Sequence, residues 1–161
     1  MKFRMLLSAL LLAAGLVCVT GCGKKAAAKA GDKAAAKSET PTAVVNKANE
    51  LMKQLNFAEV VPLCDGQMKT DMERAAKQFA ELKAKADKGD ATAKQIIAMQ
   101  KEAFEKRKFE VKSEKIDGDF AELITNVTDG DGKTQEVKGH LKKVNGEWKL
   151  ISDSDYKKAN K

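Results

Sequence analysis

The chain is poor in the side chains that carry most enzyme chemistry. Its 161 residues include one histidine, His140, and one tyrosine, Tyr156. No base with an orienting partner can be named from such a set, so no catalytic group is assigned and no cofactor is implied. There are three cysteines, and two of them, Cys18 and Cys22, lie within the first 22 residues. The rest of the chain holds Cys64 alone, which excludes an internal disulfide there. Cys64 also lacks a neighbouring histidine or second cysteine to activate it, and reads as a small buried hydrophobe on an apolar helix face. Calcium-loop fragments are present at Asp117/Asp119 and Asp129/Asp131, but the twelve-residue spacing with a closing glutamate is missing. They read as turns, and no metal site is assigned. Asn126-Val127-Thr128 fits a glycosylation sequon and lies within a strand pattern, where it reads as chance.

What is present begins at the N-terminus. Lys2 and Arg4 precede an apolar run from Met5 to Val19 that is broken only by Ser8 and Gly15. The run is too short, and its end too rich in small residues, for a membrane span; it has the layout of an export signal. Val19-Thr20-Gly21-Cys22 then resembles the bacterial lipobox position by position. The resemblance implies signal recognition through Val19, Thr20 and Gly21, cleavage before Cys22, and diacylglyceryl attachment to its thiol. Two or more acyl chains anchor a protein stably, at about 0.8 kcal/mol per buried methylene. The lipoprotein sorting rule places Asp after the cysteine for inner-membrane retention. Gly23 stands there instead, which implies the outer membrane, facing the periplasm, in a Gram-negative cell, and the outer face of the single membrane in a Gram-positive one.

Charge is unevenly spread. The full chain is +7. Lys2 and Arg4 leave with residues 1–21, so the mature chain carries +5. Residues 23–41 contain five lysines against Asp32 and Glu39, which accounts for +3 and leaves +2 on the remainder. The basic character therefore belongs to a tether and not to a folded surface, which argues against a nucleic-acid partner. In residues 22–40, Lys25, Lys29, Lys33 and Lys37 recur every four positions among alanines. Alanine favours helix while lysines at i, i+4 repel, so a spacer is expected that gains helix beside an anionic envelope surface.

Residues 41–161 read as one α+β domain. Val44, Val45, Ala48, Leu51, Met52 and Leu55 follow Pro41 at helical spacing, and the helix is expected to end near Asn56. Phe57–Val61 reads as a short turn before Pro62. Met68, Met72, Ala75, Ala76, Phe79 and Leu82 mark a second long helix, from Asp65 to about Ala86. Asp90 is expected to cap a third helix, with Ile96, Ile97, Met99, Ala103 and Phe104 as its apolar positions. From Lys108 the period becomes two. Phe109, Val111 and Ser113 are expected on one face of a first strand. Turns at Asp117-Gly118-Asp119, at Asp129–Gly132 and at Asn145-Gly146 separate four strands of an antiparallel meander. His140 alternates with Glu136, Lys138 and Lys142 and is expected to point to solvent. Tyr156 lies past the last strand, and Glu122 reads as a salt-linked surface acid.

Three segments carry a family resemblance: Pro41-Thr42-Ala43-Val44-Val45, Ile116-Asp117-Gly118-Asp119-Phe120-Ala121, and the closing stretch from Leu141 through Asn145-Gly146 to Trp148 and Leu150. They resemble small nuclear-transport-factor-2-like domains, also called ketosteroid-isomerase-like or lumazine-binding-like, of the branch found in bacterial lipoproteins. The resemblance implies helices wrapped on a curved four-stranded antiparallel sheet, a cystatin-like roll with a cone-like cavity. The helical stretch 83–106 is longer than that pattern has. Three roles remain open, and a non-catalytic module that binds a small apolar ligand or a protein is preferred. An enzyme of the ketosteroid-isomerase-like type comes next. The third is an envelope spacer touching peptidoglycan, for which Lys161 is the one matching feature.

Overall fold

The computed structural model describes residues 39–160. The signal residues Val19, Thr20, Gly21 and Cys22, the tether lysines Lys25, Lys29, Lys33 and Lys37, and Lys161 lie outside the described residues. The described elements run α1 (Pro41–Lys53), α2 (Phe57–Val60), a 3-10 turn (Val61–Leu63), α3 (Gly66–Asp87), α4 (Ala91–Glu105), β1 (Lys108–Asp117), β2 (Phe120–Thr128), β3 (Thr134–Val144), β4 (Glu147–Ile151) and α5 (Asp153–Ala159). The α+β arrangement expected from the change of period is the one observed.

Local chemistry explains the helix ends. Thr40 caps α1 by accepting from the Ala43 N–H at 3.2 Å, and Pro41 fills the first helical position, where no N–H is needed. The far end of α1 closes in a Schellman turn. Asn56 N–H reaches the Leu51 carbonyl at 2.9 Å and Leu55 N–H reaches Met52 at 3.0 Å. Leu55 occupies the left-handed position there, with φ +57°, a place usually held by glycine. Asp90 caps α4 as expected, its Oδ1 accepting from Ala93 N–H at 3.0 Å.

The sheet is antiparallel in the order β1-β2-β3-β4. Its inner face meets α1, α2 and α3 in one apolar cluster that includes Val44, Val60, Met72, Leu123, Leu141 and Trp148. Leu123 and Leu141 are fully buried, the outcome that strict alternation dictates for the two central strands. This cluster lies in the layer between helices and sheet.

Two features depart from the sequence reading. A β-bulge falls between Val111 and Ser113, at Lys112. The extra residue turns Ser113 to the outer face, opposite Ile124, and brings Glu114 and Ile116 to the inner face, opposite Leu123 and Ala121. Glu114 uses that position to accept from both the N–H and the hydroxyl of Thr42, fixing the start of α1 to β1. The second feature is α5. Ser152 caps it, its Oγ accepting from Asp155 N–H at 3.1 Å. The segment after the last strand is therefore a helix, and it packs on β3.

Candidate functional site

His140 is the first residue to place. Its pairing partner across the strands is Glu122, on the face away from Leu123 and Leu141, as alternation predicts. Its exposure is another matter: only 5% of the residue is accessible, because α5 lies over that face. The Tyr156 ring stacks on the imidazole at 4.0 Å between centroids and 13° between planes, and Phe120 meets Tyr156 edge-on at 5.8 Å. His140 Nε2 lies 3.3 Å from Asp153 Oδ1, while Nδ1 is buried with no hydrogen-bond partner among the described residues. Burial lowers the His140 pKa and outweighs the opposing pull of Asp153 and Glu122. Asp153 sits below the usual carboxylate range, chiefly through its hydrogen bond with Lys157 at 2.6 Å.

The chain's one histidine and one tyrosine thus come together, which the sequence reading missed. The signal that finds them is Ser152-x-x-Asp155, a capping-box spacing ahead of Tyr156. Their arrangement is that of a clamp. Burial favours the neutral imidazole, one nitrogen is spent on Asp153, and the ring face is covered by Tyr156. No substrate atom reaches either nitrogen without α5 moving.

The remaining candidates resolve as structural parts. Cys64 is 4% exposed, its Sγ donates to the Val60 carbonyl at 3.4 Å, and burial pushes its thiol up to about 11 against a partial pull from Lys149. A thiol so protonated is a poor nucleophile. Asp129 Oδ1 accepts from the N–H groups of Asp131 and Lys133 at 3.0 and 2.9 Å, a turn and not a metal ligand. Glu122 pairs with Lys138 at 3.4 Å. Among the described residues no cluster of His, Cys, Asp and Glu is fit to hold a metal ion. None of the described helices is long and apolar enough to cross a membrane.

An open concave feature lies elsewhere. A groove of about 690 Å³ runs between the end of α1 and the α3–α4 hairpin. Leu55, Phe79, Ala86 and Ile97 give it apolar walls, and Lys83 and Lys94 bring cations from α3 and α4. Phe79 is braced from behind by Phe57, edge-on at 5.2 Å, and Phe57 in turn by Phe104 at 6.0 Å. Neither lysine has a carboxylate within ion-pair distance among the described residues, and Asp87 is the one acid lining the groove. The sequence reading took Leu55, Phe79 and Ile97 as core positions. Nothing in a single helix pattern shows that three helices leave a trough between them.

No family model matches the chain, and no curated protein matches it. One solved structure that resembles it is a Campylobacter jejuni protein described as a "Putative NTF2-like transpeptidase". The two are 14% identical with a TM-score of 0.44, over 71% of this chain and 100% of that one.

Proposed function

We propose that this chain is a membrane-anchored cell-envelope protein whose folded part binds a partner without transforming it, and that the groove between α1, α3 and α4 is the binding surface. The anchor rests on Val19-Thr20-Gly21-Cys22 behind its basic and apolar lead. In this reading Lys25, Lys29, Lys33 and Lys37 hold the tether against an anionic envelope surface. Binding is preferred to catalysis because the buried base His140 is covered by α5.

The observation that carries the reading is the composition of the groove: apolar walls with two lysines that form no ion pair among the described residues, against one lining acid, Asp87. Such a site suits an amphipathic anion, an apolar body ending in a carboxylate or phosphate. Leu55 adds support. A left-handed leucine costs about 1–2 kcal/mol relative to its ordinary backbone, a cost glycine avoids. The side chain is kept there, where it is 8% exposed and forms part of the groove wall.

The test is a titration of the protein from Gly23 onward with decanoate, followed by methyl NMR. Leu55 and Ile97 signals are expected to shift, and the shifts to vanish in Lys83→Glu/Lys94→Glu. Shifts confined to the sheet, or none at millimolar decanoate, would overturn the groove assignment. The anchor is tested separately: labelled palmitate is expected to enter the protein and to be lost from Cys22→Ser.

A further inference from the structure

The open edge of the sheet is β1. Every residue from Lys112 to Asp117 is exposed, and Ile116, at 52%, is one of two large hydrophobic side chains left in water. The strand carries Lys108, Glu110, Lys112, Glu114, Lys115 and Asp117, yet none of these six forms an ion pair among the described residues. Edge charges and bulges ordinarily deter strand pairing. Here their order is self-complementary.

Two copies of β1 can be laid antiparallel with the two-fold axis between Lys112 and Ser113. Lys108 then faces Asp117, Glu110 faces Lys115, and Phe109 faces Ile116, each pair occurring twice. Val111 meets Glu114, whose carboxylate is already held by Thr42. A strand paired with itself about a point between two residues would normally set inner side chains against outer ones, since the side-chain period is two. The bulge removes that conflict. Phe109, Val111, Glu114 and Ile116 all lie on the inner face, opposite Val127, Thr125, Leu123 and Ala121 respectively. That set is symmetric about the bulge. Lys108, Glu110, Lys115 and Asp117 are likewise symmetric on the outer face.

We infer that β1 is a self-association edge, joining two copies of this chain into one continuous eight-stranded sheet in the register that pairs Glu110 with Lys115. The register satisfies four charged side chains per copy and covers Ile116 with the partner's Phe109. One ten-residue strand is a small contact, below the area of tight complexes. The dimer is therefore weak in dilute solution and fills as concentration rises.

Sedimentation equilibrium on the protein from Gly23 onward, taken to about 1 mM, tests this. A monomer–dimer equilibrium is expected, weakened at least tenfold by Glu110→Lys and by Lys115→Glu singly. The double variant Glu110→Lys/Lys115→Glu recreates both pairs with reversed polarity and is expected to recover the wild-type constant. Circular dichroism of each variant reports that the fold is intact. A monomer at every concentration overturns the inference. So does a dimer that ignores the single changes, or one that the double variant does not rescue.

Discussion

The two edges of the sheet are finished in opposite ways. At β4 the chain covers its own edge: Cys64 forms a parallel bridge to Leu150, and Asp65 N–H donates to the Leu150 carbonyl at 2.8 Å. α5 then returns beside it. Asp155 accepts from Gln67 N–H at 2.8 Å, which ties α5 to the first turn of α3, while Asp153 and Tyr156 hold His140. At β1 nothing comparable is built among the described residues, and unpaired charges line the edge. A sheet closed on one side by its own chain and left open on the other is a sheet with one direction in which to grow. The difference also separates two uses of charge. At β4 carboxylates are spent inside the fold, and at β1 those of Glu110 and Asp117 stay available while Glu114 is held by Thr42.

The closed side should be the more fragile. Gly66 has φ +56°, and a Cβ there would stand 2.6 Å from Asp155 Oδ2. Gly66→Ala therefore strains the backbone and drives the carboxylate off Gln67. A loss of about 3 kcal/mol is expected in urea unfolding, the sum of a left-handed penalty and a charged hydrogen bond. A variant as stable as the wild type would show that α5 does not depend on this contact.

Acid should loosen the same side by a smaller amount. His140 has a folded pKa below its ordinary value of about 6.5, so the fold favours the neutral ring. Its contribution is complete above that value and is lost as pH falls below it, through the lower folded pKa. Asp153 and Glu122 soften the effect, Lys138 adds to it, and Tyr156 covers the ring. Asp153 and Asp155, both lowered, add a second loss in the carboxylate range below about 4. Thermal midpoints of the wild type are expected to fall from pH 7 to pH 5, and those of His140→Gln to stay level across that window. Parallel curves would remove His140 from the account.

The open side should tolerate change best. Ile116→Lys is expected to alter the stability of the isolated protein by less than about 0.5 kcal/mol, as for most exposed positions, while abolishing dimerisation. A large loss of stability would mean that Ile116 already packs within one copy.

Particular residues show how far the sequence carries. Pro41, Asp90 and Asn145-Gly146 announce a helix start, a cap and a turn through chemistry local to a few positions, and each is found where expected. Asn145 and Gly146 both take positive φ, at 52° and 86°, as a tight hairpin requires. The bulge at Lys112 is not announced, because one extra residue in an alternating run leaves the run looking intact. The orientation of His140 follows from period two, but its burial depends on a helix that starts a dozen residues later. That helix has seven residues, too few to show an apolar stripe. The groove is the least legible part. Leu55, Phe79 and Ile97 belong to separate stretches, and each reads locally as core.

The bond between Gln67 and Asp155 spans 88 positions. A chain emerging from its N-terminus exposes the first turn of α3 long before its acceptor exists, and all four strands precede that acceptor. Until Asp155 arrives, the start of α3 is uncapped by it and His140 is uncovered. The nascent chain is thus kept from completing its tertiary structure by the order in which its parts are made.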